Sequence, residues 1–70
     1  MSERDAGHGR RAWVGDLVRD EETDRHGVVT DVQGGALWVL RPEHGGGQWT
    51  SRRPERLTVV VPRERMRDRL

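Results

Sequence analysis

Gly27-Val28-Val29-Thr30-Asp31-Val32-Gln33-Gly34-Gly35-Ala36-Leu37-Trp38-Val39-Leu40-Arg41 is the stretch that decides the fold. Two runs rich in β-branched and apolar residues flank a Gly-Gly pair, which can supply positive φ at both central positions of a tight hairpin. In the first run, Val29 and Val32 lie three apart. For both to face a core, the two-residue alternation of a strand must break once, at a bulge or sharp bend. The second run holds five apolar residues in a row, Ala36 to Leu40. Strict alternation would have given one wet face, so partial cover on both faces is expected there.

Working outward, Val14-Gly15-Asp16-Leu17-Val18-Arg19-Asp20 reads as a first strand, and residues 21–27 as a polar loop ending in glycine. Pro42 closes the third strand, and Glu43-His44-Gly45-Gly46-Gly47 makes a flexible loop. Gln48 to Arg53 is a fourth strand, Pro54-Glu55-Arg56 a turn, and Leu57-Thr58-Val59-Val60-Val61 a fifth strand ended by Pro62. Residues 1–11 carry charges and glycine without apolar periodicity and are expected to be a flexible leader. Residues 63–70 form an Arg-rich tail in which Met66 and Leu70, four apart, leave room for one frayed helical turn.

Five short strands in about fifty residues favour a small all-β barrel over 12–62, because a flat sheet that small would leave an apolar face wet and two edges open. The expected core is Val14, Val18, Val29, Val32, Trp38, Leu40, Leu57 and Val59, with Trp49 at its margin.

Composition bounds the answer further. The chain has 70 residues, 31% hydrophobic and 36% charged, so a thin core must overcome the entropy of ordering. There is no cysteine, hence neither a disulfide framework nor a thiolate metal site. Apolar runs fall short of a membrane span and the N-terminus lacks a signal-peptide stretch, so a cytoplasmic protein without membrane contact is expected. Lys, Ile, Asn, Phe and Tyr are absent, a bias that points to a GC-rich bacterial genome. The preference for Arg over Lys therefore carries no message about recognition by itself.

The stretches Gly15-Asp16-Leu17-Val18, Gly27-Val28-Val29-Thr30-Asp31-Val32 and Leu40-Arg41 resemble the KOW motif of ribosomal and transcription-elongation proteins, and with it SH3-like or Tudor-like barrels. Pro54-Glu55-Arg56-Leu57 looks like the turn that often precedes the last strand in those families. The resemblance covers roughly half the chain and implies a five-stranded SH3-like barrel more than any activity. The whole pattern, with Thr23-Asp24-Arg25-His26-Gly27 and Gly45-Gly46-Gly47-Gln48-Trp49, also looks like a group of small actinobacterial proteins, a likeness that implies no activity. Where a KOW reading expects lysines near the first loop, Asp20-Glu21-Glu22-Thr23-Asp24 stands instead.

Catalysis is not expected. A nucleophile needs a base and an orienting group, and the two serines are Ser2 in the leader and Ser51 in a strand. His8, His26 and His44 lack the short spacing of metal pairs, so neither metal nor cofactor is expected. The triple glycine follows no strand-to-helix pattern and carries no Lys-Ser/Thr, unlike a phosphate cradle.

Two binding classes remain. Nucleic acid is suggested by SH3-like barrels in general and by a pI near 9.0. Yet residues 12–62 hold six arginines against eight acids, net −2, and the positive balance of +1 for the whole chain comes from its two ends. Phosphate contacts would rest on Arg52, Arg53 and Arg56 and on the Arg-rich tails; an Arg-rich edge pairing with acids such as Glu55 is the plainer account of that cluster. Protein recognition needs no basic barrel and is preferred, as an interaction module or regulatory adaptor. Its candidate contacts are Trp13 and Trp49 at strand margins, Arg41, the cluster of Arg52, Arg53 and Arg56, and the acidic loop from Asp20 to Asp24.

Overall fold

The computed structural model describes residues 11–66. Five strands, β1 (Leu17–Asp20), β2 (Arg25–Gln33), β3 (Leu37–Pro42), β4 (Trp49–Ser51) and β5 (Leu57–Val61), form one antiparallel sheet in the order β4-β3-β2-β1-β5. A 3₁₀ turn, Pro54–Arg56, leads into β5, and one turn of helix, α1 (Arg63–Met66), follows it. The expected leader lies, apart from Arg11, outside the described residues, and so does the tail beyond Met66. Among the described residues no helix is long and apolar enough to cross a membrane.

The hairpin forms as its sequence dictates. Gly34 and Gly35 both adopt positive φ, +62° and +67°, and the Ala36 amide donates to the Gln33 carbonyl at 3.0 Å. Val29 faces Leu40 and Asp31 faces Val39, so Thr30 is the extra residue of a bulge between the two valines that must both point inward. The Thr30 hydroxyl donates to the Val39 carbonyl at 3.3 Å, giving the interrupted ladder a side-chain bond.

The core consists of Ala12, Val18, Val29, Trp38, Leu40 and Leu57, with Val32, Trp49 and Val59 packed against it. Trp38 is buried whole because its indole N–H has a partner, the Ala12 carbonyl at 2.9 Å. The apolar run in β3 is covered on both faces: Trp38 and Leu40 point into the core, and Val39, alternating with them, is also buried.

Val14 is not a core residue. It is 40% exposed, because the chain turns before β1 begins. Gly15 takes φ +99°, the Asp16 amide donates to the Trp13 carbonyl at 3.0 Å, and Asp16 Oδ2 accepts from the Trp13 amide at 2.9 Å. Val14 therefore sits at the tip of a tight turn, and Ala12 takes the inward position instead. The loop expected over 21–27 is likewise shorter. Asp24, at φ +60°, closes the turn, and β2 starts at Arg25, placing Gly27 within the strand.

No ladder joins β4 to β5 among the described residues, so the sheet is open. It is nonetheless curled. Trp49 Nε1 of β4 lies 2.9 Å from Asp20 Oδ2 of β1, although three strand spacings, about 14 Å, separate β4 from β1 in a flat sheet. Both open edges are blunted. β4 is three residues long, and β5 carries Val60 as the extra residue of a second bulge opposite Leu17 and Val18; shortness and bulging both discourage edge-to-edge pairing.

Candidate functional site

Trp49 meets Gly27 at its ring edge and Arg25 over its ring face. Its ring lies against Gly27, where a Cβ would come within 2.7 Å of Cη2 and 2.8 Å of the Arg41 carbonyl. The Arg25 guanidinium lies over the ring at 3.9 Å from its centroid and reaches the Gly47 carbonyl at 3.4 Å. With its N–H committed to Asp20, Trp49 is partly buried and serves as a fastener between strands.

Trp13 is placed differently. It is 43% exposed, yet fixed, with its ring edge-on to Trp38 at 6.3 Å between centroids and 83° between planes. Its amide and carbonyl are both bonded to Asp16. Asp16 is fully buried and also accepts from the Arg63 amide at 2.6 Å and the Arg63 guanidinium at 3.3 Å, which docks α1 beside the turn.

The acidic loop and the arginine cluster, far apart in sequence, meet in space. Arg53 pairs with Glu22 at 3.4 Å and Arg56 with Glu21 at 3.7 Å, while Thr58 Oγ1 donates to Glu21 at 2.6 Å. Arg19 holds Asp24 at 2.7 Å. Asp20 is buried, accepting from Trp49 and from the Glu22 amide. Every acid of the loop is thus engaged within the fold, and among the described residues Arg53 and Arg56 pair with Glu22 and Glu21 in place of the expected Glu55. Arg52, the third member of the cluster, is exposed and makes no ion pair among the described residues.

Arg41 belongs to another surface. The register pairs it with Val28, and both point away from the core because their neighbours Val29 and Leu40 point into it. With Thr30, Pro42, Glu43, His44 and Met66 they line a half-open groove of about 520 Å³. Arg41 makes no ion pair among the described residues, whereas Glu43 already has an interaction partner. The sequence pattern points to Arg41 alone in this groove. Met66 carries only a helical-spacing signal, and the position of Thr30 follows from the bulge. Among the described residues no group of His, Asp and Glu is arranged to hold a metal ion.

Comparison with family models, with curated proteins and with solved structures finds no match to this chain.

Proposed function

We propose that the chain is a non-catalytic binding module on an SH3-like small barrel, acting in the cytoplasm as a protein-interaction or regulatory adaptor. Trp13 carries this reading. A tryptophan that is 43% exposed, next to Val14 at 40%, offers a partner a large apolar contact. Because its backbone and ring are already pinned, little conformational entropy is lost when it binds. The bulged β2 and the 3₁₀ turn before the last strand support the barrel type. The pairing of Arg53 and Arg56 with Glu22 and Glu21 counts against a phosphate site at that cluster, since a nucleic acid would have to displace both acids.

The test is capture of partners from a native lysate by the full chain, with and without nuclease, using the wild type and Trp13→Ala. A protein retained after nuclease and lost at least tenfold by Trp13→Ala supports the reading. Amide hydrogen exchange in the β2–β3 ladder checks that the variant is folded. Loss of every partner after nuclease moves the function to nucleic acid, for which Arg41 and Arg52, both exposed and without an ion pair among the described residues, are candidate contacts.

A further inference from the structure

We infer that the groove lined by Val28, Thr30, Arg41, Pro42, Glu43, His44 and Met66 is a second recognition site, which takes the free carboxyl terminus of a partner chain ending in an aliphatic residue. This goes beyond the Trp13 surface and stands or falls separately from it.

The argument begins with charge. Arg41 presents a guanidinium with no ion pair among the described residues, and the one carboxylate on the groove wall, Glu43, is engaged with another group. With Glu43 already engaged, the Arg41 guanidinium, which has no ion pair among the described residues, is complementary to an incoming carboxylate, which it can bind through two parallel N–H bonds. The neighbouring wall is apolar: Val28, Pro42 and Met66.

Spacing then selects the kind of carboxylate. Val28 and Arg41 are directly opposed across the β2–β3 ladder, which holds their Cβ atoms about 5 Å apart. Hydrophobe and anion can therefore be presented by a single residue. The last residue of a chain satisfies this, because its side chain and its carboxylate hang from the same carbon. Side-chain carboxylates of Asp or Glu sit on a residue other than the one supplying the apolar group, and reach less well across so short a gap. The volume, about 520 Å³, lies within the ordinary range of small-ligand sites. Two of the groove's elements are tied in place: Thr30 by the bulge and its bond to Val39, and α1 by Asp16.

The test is a titration of the full chain, isotope-labelled for NMR, with the tripeptide acetyl-Ser-Asp-Leu bearing a free carboxylate. Three companions are its C-terminal amide, the glycine-ended acetyl-Ser-Asp-Gly, and inorganic phosphate. The expected result is a set of shifts confined to Val28, Thr30, Arg41, Pro42-flanking amides and Met66. Affinity should fall about tenfold on amidation and in Arg41→Gln, the loss of one charge-assisted contact. Arg52→Gln, an equal change of charge at another exposed arginine, should leave binding unchanged. No shift at millimolar peptide in folded protein overturns the inference, as does equal binding of the amide. Equal binding of the glycine-ended peptide or of phosphate overturns it too, by reducing the groove to a plain anion site. Failure of the Trp13 experiment does not touch these outcomes.

Discussion

Trp49 of β4 and Asp20 of β1 are joined by a 2.9 Å hydrogen bond from the indole N–H to a buried carboxylate, and the two intervening strands are bent round to allow it. Replacing Trp49 by Phe keeps most of the ring but leaves Asp20 one donor short in a buried position. Stability to urea should fall by about 1–3 kcal/mol. A change of less than a few tenths would mean that the curl is held by something else.

Gly27 and Gly35 separate two reasons for glycine. At Gly27 the backbone is unremarkable in φ, but a methyl group would collide with Trp49 and with the Arg41 carbonyl. Gly35 has open space and a φ of +67°. Gly35→Ala should cost about 1–2 kcal/mol whatever surrounds it. Gly27→Ala should cost more, roughly 2–3 kcal/mol by the usual scale of overpacking. Its cost should shrink in a Trp49→Leu background, and a double-mutant cycle by denaturation measures that coupling.

Asp16 binds the Trp13 amide, the Arg63 amide and the Arg63 guanidinium. Asp16→Ala strands buried donors and should destabilise by about 3 kcal/mol or more. Arg63→Ala keeps the backbone bond and removes a half-exposed guanidinium, so it should cost about 1 kcal/mol or less. Amide hydrogen exchange at residues 13 and 63 distinguishes the two outcomes.

Glu21 and Glu22 mask Arg56 and Arg53. The pairs are exposed, and each should contribute less than about 1 kcal/mol to stability. Their effect on binding is the sharper test. Glu21→Gln with Glu22→Gln unmasks the arginines and removes two negative charges. Affinity for a random-sequence oligonucleotide should rise in low salt and fall steeply as salt is added. Unchanged binding would show that the pairing is not what blocks phosphate.

Much of the fold was legible because strand signals are local. The glycine pair announced the hairpin, and the spacing of Val29 and Val32 required the bulge that Thr30 supplies. Leu57 to Val61 reads as a strand on composition and is one. Val14 misled because β-propensity says nothing of the turn that Asp16 makes two residues later. Trp13 and Trp49 both read as candidate contacts, and nothing near either in sequence separates the exposed one from the fastener.

The sequence by itself determined an all-β chain of five strands, the Gly34-Gly35 hairpin turn, and the absence of cysteine chemistry, since each follows from residue type and short-range spacing. Only the tertiary structure decided which charges are available. Glu21 meets Arg56, Glu22 meets Arg53 and Asp16 meets Arg63 across 31 to 47 positions, and Coulomb attraction depends on distance in space, not along the chain. The same is true of the groove, where Val28, Arg41 and Met66 become one surface because strand register and a helical turn bring them there.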